Sequence, residues 1–331
     1  MRIAVLGAGA WGTAFGQVLA DAGNDVMMWA REPQIVEGIR DRHCNEVRLP
    51  SVGRLPVNMT ATGDRAQAVE GARIVVVAIA AQHAREALEP FAPMIAQDAV
   101  VVSLMKGIER STDKRMDQVV REALGGLPAE RFAAISGPNL SREVAAREPT
   151  GAVVASADLA VAYFVAQAAA TRYFKLYASD DVIGLELCGS LKNVVALAVG
   201  MTRGAGYGEN TAAMVQSEGL SELVQLGVAA GAKAETFYGL AGVGDLIATC
   251  ASPLSRNYTF GANLGKGLSV EQAAKVSDGV AEGVPTTAAV VAMGKSLGVP
   301  TSLASAMQTV LEEGIDCARM LEQAMGGDWE R

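Results

Sequence analysis

Short apolar runs alternate with segments of helical periodicity over the first 180 residues of the chain. The runs lie at 2–6, 25–30, 73–79 and 99–103, and each is bounded by residues that favour turns. Strands that alternate with helices pair in parallel, so this pattern predicts a parallel sheet. Further apolar runs at 132–136, 151–156 and 173–178 extend the sheet, with a helix predicted over 158–170.

The strand pattern stops near Asp180, and the remaining segments carry helical periodicity or capping residues. These segments are 182–203, 209–230, 255–265, 269–276, 285–297 and 301–324. The chain is therefore predicted to be an α/β protein, with a parallel-sheet domain over 1–185 followed, without a flexible linker, by an all-α domain over 186–331. A chain of 331 residues is long enough for two such domains.

Composition and charge narrow the possible functions. Half of the residues are hydrophobic but only 5% are aromatic, which favours closely packed helices over a β-sandwich. The formal net charge is -8 and the basic residues are scattered, so the basic patch of a nucleic-acid-binding protein is missing. No apolar run reaches the roughly 18 residues that span a bilayer, so we expect no integral membrane protein.

The cysteines and the N-terminal segment indicate a cytoplasmic protein. Cys44, Cys188, Cys250 and Cys317 lie far apart and form no C-x-x-C pair, which argues against a disulfide framework and against a zinc site. We therefore expect no metal. The apolar N-terminal stretch is interrupted by glycines and continues as a strand and a helix, unlike a signal peptide.

The sequence GAGAWG places Gly7, Gly9 and Gly12 in G-x-G-x-x-G spacing directly after the first predicted strand. The first glycine permits a tight turn, the second lets the backbone approach a pyrophosphate, and the third allows close packing of helix and strand. The anion then lies at the helix N-terminus. With a strand before it and a helix after it, the motif predicts a Rossmann-type, dinucleotide-binding first domain.

Arg31 follows the second predicted strand, where an acid would hold the ribose 2′-hydroxyl of NAD(H). Glu32 comes only after it. A guanidinium at this position suits a 2′-phosphate, so the sequence favours NADP(H), with NAD(H) also accepted. The alternative is that Arg31 is an ordinary solvated loop residue.

Two segments follow further strand ends, where an open parallel sheet binds its ligands. One carries Lys106, and the other is the sequence SGPN from Ser136 to Asn139. Both combine polar side chains with a glycine whose backbone amides are free to bind an anionic substrate. An ordinary turn would explain the second segment equally well.

The helical half contains a glycine-rich turn with Asp245, followed by Ser255, Arg256 and Asn257 at a predicted helix start. A capping serine, exposed backbone amides and an arginine together form an anion site. Helix capping alone would explain Ser255 but not Arg256.

Lys192 lies within the apolar sequence CGSLKNVVALAVG, and no acid lies three or four residues away on its own helix. Burial can lower a lysine pKa from about 10.4 toward about 7 to 8, where the amine exchanges a proton with an alcohol. The alternative is a lysine whose stem packs while its ammonium group reaches water. Neither His43 nor His83 lies in a setting that indicates a proton relay, which disfavours dehydrogenases that use a His-Asp pair or zinc.

The chain resembles bacterial NAD(P)-dependent glycerol-3-phosphate dehydrogenase in an ordered set of motifs. These are GAGAWGTA, KGIE, SGPN, CGSLKNVVALAVGM, AGVGDLIATC, SPLSRN and AEGVPT, and they extend from the first strand to about residue 310. The family's fold is a Rossmann-type domain joined to an all-helical substrate domain. The resemblance implies reversible hydride transfer between NAD(P)H and dihydroxyacetone phosphate, giving sn-glycerol 3-phosphate for phospholipid synthesis. The apolar helical half of the sequence favours a homodimer.

The resemblance also implies roles for individual residues. Lys192 is implied as the general acid/base, with Lys106 and Asp245 at the reacting end and Thr249 and Asn193 in support. The implied substrate contacts are Lys106, Gly137, Asn139, Lys192, Asp245, Ser255, Arg256 and Asn257. The implied cofactor contacts are Gly7, Gly9, Ala10, Trp11, Gly12, Arg31, Lys106, Ser141, Arg256, Val280 and Glu282.

The sequence departs from the family at a few positions, which keeps two alternatives open. Asn139 replaces the usual Thr or Ser, Ser141 an Ala, Arg48 a Tyr, and Glu218 an Arg near the expected anion site. We expect the Glu218 side chain to point away from that site. The alternatives are a dehydrogenase for another phosphorylated or carboxylated hydroxy compound, and a catalytically silent NADPH sensor.

Overall fold

The chain forms two compact units in the computed structural model, which describes residues 1–50, 52–253, 255–277 and 281–327. One unit comprises Met1–Glu109 and Lys114–Leu185, and the other comprises Arg110–Asp113 and Glu186–Arg331. The first is built on a mostly parallel sheet and the second is helical, so the predicted fold class is confirmed.

The strands all belong to the first unit. They are β1 (Arg2–Leu6), β2 (Asp25–Trp29), β3 (Met59–Thr62), β4 (Ile74–Val77), β5 (Val100–Ser103), β6 (Ile108–Glu109), β7 (Lys114–Arg115), β8 (Phe132–Ser136), β9 (Thr150–Ser156) and β10 (Phe174–Ser179). The short strands β6 and β7 form a separate antiparallel pair. Strand β3 was absent from the predicted set, because its sequence MTAT is only weakly apolar.

The helices of the first unit connect these strands. They are α1 (Ala10–Asp21), α2 (Pro33–Arg42), α3 (Arg65–Val69), α4 (Ala84–Leu88), α5 (Met116–Ala123), α6 (Ser141–Ala145) and α7 (Leu159–Ala168). The central strands β4 and β5 are buried along their whole length. This burial explains their continuous apolar sequences, since a sheet covered on both faces has no solvent-facing positions.

The main sheet has the order β10-β9-β8-β5-β4-β1-β2-β3. From β3 to β8 all neighbouring strands are parallel, and the chain direction across the sheet reverses beside β1. In such a sheet the ligand lies beyond the carboxyl ends of the strands at this reversal. Strand β1 ends directly before the glycine-rich sequence, so the fold places that sequence at the expected position.

The prediction of a wholly parallel sheet was wrong at one pair of strands. Strand β9 runs antiparallel to β8, with Ala133 opposite Ser156, and β10 is parallel to β9. The connection from β8 to β9 contains only the five-residue helix α6. A helix of that length spans about 7.5 Å, whereas a five-residue strand spans about 17 Å, so α6 cannot return the chain along the sheet.

The second unit is built from helices that begin with α8. They are α8 (Val182–Gly204), α9 (Glu209–Ala229), α10 (Ala234–Tyr238), α11 (Asp245–Ala251), α12 (Arg256–Gly265), α13 (Val270–Val276), α14 (Gly283–Leu297), α15 (Ser302–Glu313) and α16 (Cys317–Met325). The single helix predicted over 301–324 is instead two helices. Gly314 ends α15 in the left-handed region with φ of 72°, and Asp316 caps α16.

By length and composition alone, helix α8 could cross a bilayer. The apolar runs of the sequence did not predict a helix of this kind. The most apolar window of α8 has a mean hydropathy of 1.7, but 89% of that window is buried within the protein. Such burial is typical of the core helix of a water-soluble fold.

Glycines bring α8 and α12 into backbone contact. A Cβ atom at Gly200 would collide with the carbonyl oxygen of Tyr258, and one at Gly261 would collide with that of Leu197. Gly204 and Gly265, one turn further along each helix, face the partner backbone in the same way. Because α8 carries Lys192 and α12 begins at Arg256, this close packing fixes the separation of two candidate site residues.

Glu222 joins α9 to the start of α15. Its carboxylate accepts hydrogen bonds from the backbone N–H groups of Leu303 at 2.9 Å and Ala304 at 3.2 Å, two groups of the first helical turn. The side chain is buried, and burial raises the pKa of Glu222 to about 7. The charge of Glu218 raises this pKa further, whereas the two N–H groups lower it.

We expect Glu222→Gln to reduce the pH dependence of stability. The folded state holds the carboxyl proton more tightly than the unfolded chain, so ionisation lowers the free energy of unfolding as the pH rises from about 4.5 to about 7. The complete shift corresponds to about 3 kcal/mol. Urea denaturation at pH 5 and pH 8 should show a larger loss at pH 8 for the wild type than for the variant. Equal losses in both proteins would contradict this role.

Candidate functional site

Of the three glycines in the turn after β1, Gly9 has open space at the position of a Cβ atom, whereas Gly7 and Gly12 do not. Gly7 has φ of +115°, and a Cβ atom there would collide with the carbonyl oxygen of Ala78. A Cβ atom at Gly12 would collide with the carbonyl oxygen of Gly7, whereas one at Gly9 would meet nothing within 4 Å. The first and third glycines therefore serve internal packing, and the second opens the backbone to a ligand.

Helix α1 begins at this turn with unsatisfied donors. Gly9 is its N-cap and provides no side-chain cap, so the N–H groups of Ala10, Trp11 and Gly12 have no acceptor within the helix. The indole nitrogen of Trp11 is also buried without a hydrogen-bond partner among the described residues. These donors suit a pyrophosphate, so the cradle fits the dinucleotide that the motif predicts.

Arg31 lies two residues beyond the end of β2 and is exposed. Glu32, the nearest candidate for a ribose-binding acid, forms an ion pair with Arg48 at 3.3 Å. The ion pair with Glu32 gives Arg48 a structural role. The sequence alone had indicated no role for this residue. The ion pair also leaves the guanidinium of Arg31 as the charged group that follows β2 directly.

Lys106 and the segment Ser136 to Asn139 come together in the first unit. The Nζ atom of Lys106 donates a hydrogen bond to the carbonyl oxygen of Gly137 at 3.1 Å. Gly137 has φ of +148°, and a Cβ atom there would lie 2.9 Å from the Cα atom of Ala152. Ser141 begins helix α6 shortly after this segment.

Two side chains of the same segment have unsatisfied polar atoms. The hydroxyl of Ser136 and both amide atoms of Asn139 are buried without a hydrogen-bond partner among the described residues. Buried polar groups in native proteins normally have partners, so groups of this kind are candidates for contact with a ligand. The segment is thus more than an ordinary turn.

Lys192 forms the centre of a buried cluster in the second unit. Its Nζ atom donates to Asp245 Oδ1 and to Thr249 Oγ1, each at 2.5 Å. Lys192 is 6% exposed and Asp245 2%. The ammonium group does not extend into water, and its acidic partner comes from α11 rather than from α8. Sequence spacing along one helix could not reveal this ion pair.

The backbone around Asp245 differs from the predicted glycine-rich turn. Residues Leu240–Gly244 form a π-helical segment, and Asp245 is the first residue of α11. A Cβ atom at Gly242 would collide with the carbonyl oxygen of Phe237. Single π-helical turns frequently occur at functional sites. Here the turn directly precedes the carboxylate that binds Lys192.

The surroundings of Lys192 determine which group can supply a proton. Burial by itself favours the neutral amine, whereas the adjacent carboxylate favours the ammonium form. Cys250 on α11 is a thiol close enough to interact with the charge of Lys192. Burial raises the pKa of Cys250 to about 12, the charge of Asp245 raises it further, and the charge of Lys192 lowers it. The Cys250 thiol therefore stays protonated, and Lys192 is the candidate proton donor of this cluster.

Asn193, the residue after Lys192, belongs to a chain of hydrogen bonds. The backbone N–H of Gly283 donates to Asn257 Oδ1 at 2.9 Å, and Asn257 Nδ2 donates to Asn193 Oδ1 at 2.8 Å. Because a backbone N–H can only donate, the chain fixes the direction of both amides. Asn193 Nδ2 also donates to the carbonyl oxygen of Gly189 at 3.5 Å, which leaves one N–H of its NH₂ group for another partner.

Ser255 and Arg256 mark the start of α12. The Ser255 hydroxyl accepts a hydrogen bond from the backbone N–H of Tyr258 at 3.3 Å, which is an N-cap. Arg256 is the first helical residue and is exposed. A helix N-terminus beside an exposed guanidinium attracts an anion such as a phosphate group.

The remaining predicted residues lie in varied settings. Val280 lies outside the described residues. Glu282 directly precedes α14, and its backbone carbonyl accepts a hydrogen bond from Thr286 Oγ1 at 2.7 Å. Glu218 is exposed on α9, and its charge acts on Glu222.

Over the described ranges, no group of three or more His, Cys, Asp or Glu side chains could hold a metal ion.

Two family models match most of the chain. The model of the NAD-dependent glycerol-3-phosphate dehydrogenase N-terminus matches residues 2–162, and that of the C-terminus matches residues 181–322. Together they include the glycine-rich turn and the cluster around Lys192.

Similar proteins and a solved structure agree with these models. The chain is 71% identical to a glycerol-3-phosphate dehydrogenase (NAD(P)+) of Bifidobacterium longum strain DJO10A, over 98% of this chain and 97% of that one. It is 46% identical to the enzyme of the same name from Corynebacterium jeikeium, over 98% of both chains. A crystal structure of glycerol-3-phosphate dehydrogenase from Coxiella burnetii matches with a TM-score of 0.90 and 33% identity, over 97% of this chain and 98% of that one. The chain therefore belongs to the NAD-dependent glycerol-3-phosphate dehydrogenase family.

Proposed function

We propose that this protein is an sn-glycerol-3-phosphate dehydrogenase that interconverts dihydroxyacetone phosphate and sn-glycerol 3-phosphate with NAD(P)H and supplies phospholipid synthesis. The observation that carries the proposal is the buried cluster of Lys192, Asp245 and Thr249 in a chain of this family. The uncapped start of α1 supports a dinucleotide cradle, and the start of α12 beside Arg256 supports a phosphate anchor.

Lys192 acts as the general acid in the direction of reduction. The bound nicotinamide, when reduced, supplies the hydride for the carbonyl carbon. The Lys192 ammonium donates a proton to the oxygen at position 2, so that the developing alkoxide becomes a hydroxyl. Asp245 and Thr249 hold Nζ in place through their two short hydrogen bonds. In the oxidation direction, the neutral amine of Lys192 accepts the hydroxyl proton.

The substrate's phosphate and hydroxyl groups are assigned to the polar groups around this lysine. Ser255, Arg256 and Asn257 bind the phosphate at the start of α12, and the NH₂ group of Asn193 donates to a substrate oxygen. On the first unit, Lys106, Gly137 and Asn139 are proposed as further substrate contacts. The unsatisfied amide of Asn139 supports this assignment.

The pyrophosphate cradle is assigned to the predicted domain 1–185, and the cluster around Lys192 to the predicted domain 186–331. Gly7, Gly9, Ala10, Trp11 and Gly12 form the pyrophosphate cradle. Lys106, Ser141, Arg256, Val280 and Glu282 are proposed as additional cofactor contacts. NADP(H) is preferred to NAD(H), because Arg31 stands where an acid would bind the ribose 2′-hydroxyl. The protein is further proposed to be a cytoplasmic homodimer.

Oxidation of NADPH by the purified protein tests the proposed activity. With dihydroxyacetone phosphate, absorbance at the nicotinamide band should fall at a rate proportional to enzyme concentration. Turnover only with the keto form of another phosphorylated or carboxylated hydroxy compound would select a different substrate. Binding of NADPH without turnover of any such compound would indicate a sensor and contradict the proposal. The paired Lys192 opposes the sensor, since a sensor has no use for a buried proton donor.

We expect Arg31→Asp to shift the cofactor preference toward NAD(H). The variant removes the positive charge that favours a 2′-phosphate and adds an acid that can accept from a ribose hydroxyl. The dissociation constants of NADPH and NADH, measured by protein fluorescence, should change in opposite directions, with the NADPH to NADH ratio shifted about 100-fold. An unchanged ratio would remove Arg31 from the cofactor site.

A further inference from the structure

Strands β2 and β3 end side by side in the first unit and leave a cavity of about 490 Å³ beyond their carboxyl ends. Trp29 and Arg31 line the cavity from the end of β2, and Asp64 and Arg65 line it after β3. Trp29 is paired with Thr62 in the sheet, so the residues that follow each strand are neighbours. The cavity therefore carries two arginines contributed by separate loops.

Both guanidinium groups are available to a ligand. Arg31 and Arg65 are exposed, and across the described part of the chain neither has a hydrogen bond or an ion pair. The guanidinium carbon of Arg65 lies 6.0 Å from the centre of the Trp29 ring, at the outer limit of a cation–π contact. Trp29 is itself fixed by a hydrogen bond from Nε1 to the carbonyl oxygen of Gly63 at 3.1 Å. The aromatic ring thus restricts the Arg65 side chain without neutralising it.

Asp64 is the acidic residue among those that line this cavity. Asp64 caps α3 and accepts from the backbone N–H of Gln67 at 2.8 Å. Glu32 is paired with Arg48. The lining of the cavity therefore has two unpaired guanidinium groups and one hydrogen-bonded carboxylate. This excess of positive charge suits a dianionic phosphate rather than a neutral hydroxyl.

We propose that Arg65 is a second determinant of the NADP(H) preference and binds the adenosine 2′-phosphate together with Arg31. This inference rests on the proposed function, because it assumes that the first unit binds a nicotinamide dinucleotide. Arg65 follows β3, a strand that the sequence pattern did not reveal, and no motif includes it. Its role follows only from the pairing of β2 and β3.

Nucleotide affinities of two single variants test this role. Arg65→Ala should raise the dissociation constant of NADPH about 10-fold, with that of NADH changed less than about twofold. Arg65→Lys keeps the charge and should show a smaller loss. Isothermal titration with adenosine 2′,5′-bisphosphate and with 5′-AMP isolates the 2′-phosphate, and only the first ligand should bind more weakly to Arg65→Ala. Arg172→Ala removes an exposed arginine before β10 and serves as the matched control.

The outcomes separate this inference from the proposed function. Equal loss of NADPH and NADH binding in Arg65→Ala, or no loss of either, would overturn the role of Arg65. If Arg31→Ala selectively weakens NADPH binding while Arg65→Ala does not, the proposed function remains and the second determinant is removed. Wild-type protein that binds neither nucleotide would overturn both. Equal affinity of the wild type for NADPH and NADH would also overturn the inference.

Discussion

Lys192→Ala should lower kcat for reduction of dihydroxyacetone phosphate by about 1,000-fold, a loss within the range of general acid catalysis. The variant removes the ammonium group that Asp245 and Thr249 hold, and Cys250 cannot replace it because its thiol pKa is raised to about 12. The dissociation constant of NADPH should stay within about threefold of the wild type, since the proposed cradle belongs to the first unit. Steady-state kinetics and a fluorescence titration measure the two quantities.

Lys266→Ala provides the matched control for this prediction. Lys266 is an exposed lysine directly after α12 in the same unit, so its removal changes the net charge equally. It should leave kcat within about twofold of the wild type, as expected for a surface substitution. A comparable loss of rate in both variants would assign the effect of Lys192 to charge or stability rather than to proton transfer.

Gly261→Ala should destabilise the second unit by about 3 kcal/mol, toward the upper end of the cost of overpacking. Helix propensity alone predicts the opposite sign, because alanine is favoured over glycine in a helix by about 1 kcal/mol. The contact decides the outcome, since the new Cβ atom would collide with the carbonyl oxygen of Leu197. The backbone of Leu197 cannot move away from the new Cβ atom without separating α8 from α12. Urea denaturation measures the loss.

Gly208→Ala tests whether the contact, rather than the loss of a glycine, causes this effect. Gly208 caps α9, and a Cβ atom there would meet nothing within 4 Å. Its substitution should cost less than about 1 kcal/mol. If the two variants lose equal stability, the close packing of α8 and α12 is not what makes Gly261 necessary. A loss of activity in Gly261→Ala at low temperature, where it remains folded, would link this packing to the site.

Much of the fold could be predicted from the sequence because its apolar runs are long and regular. The central strands are buried on both faces, and helix α8 is a long apolar segment that is almost wholly buried. Weakly apolar β3 lacked this signal. Strand β9 was predicted from its apolar run, but its antiparallel direction could not be, since a strand has the same pattern in either direction. Its direction depends on the short helix α6 before it.

The candidate site could be predicted residue by residue but not as an arrangement. The glycine-rich motif could be recognised because its glycines have a fixed spacing directly after a strand and before a helix. The partner of Lys192 lies 53 residues away, so no spacing within one helix could indicate the ion pair. The chain from Gly283 through Asn257 to Asn193 similarly joins three helices. Tertiary packing, rather than sequence pattern, determines which donors remain for a substrate.

Ethylammonium should rescue Lys192→Ala if the Lys192 ammonium group donates the proton to the substrate oxygen. This ion can enter the space left by the side chain and pair with Asp245. We predict a rate of NADPH oxidation that rises with ethylammonium concentration and saturates, while tetramethylammonium at equal ionic strength has no effect because it has no proton to donate. Equal responses to the two ions, or no rescue in a variant that still binds NADPH and dihydroxyacetone phosphate, would contradict the account.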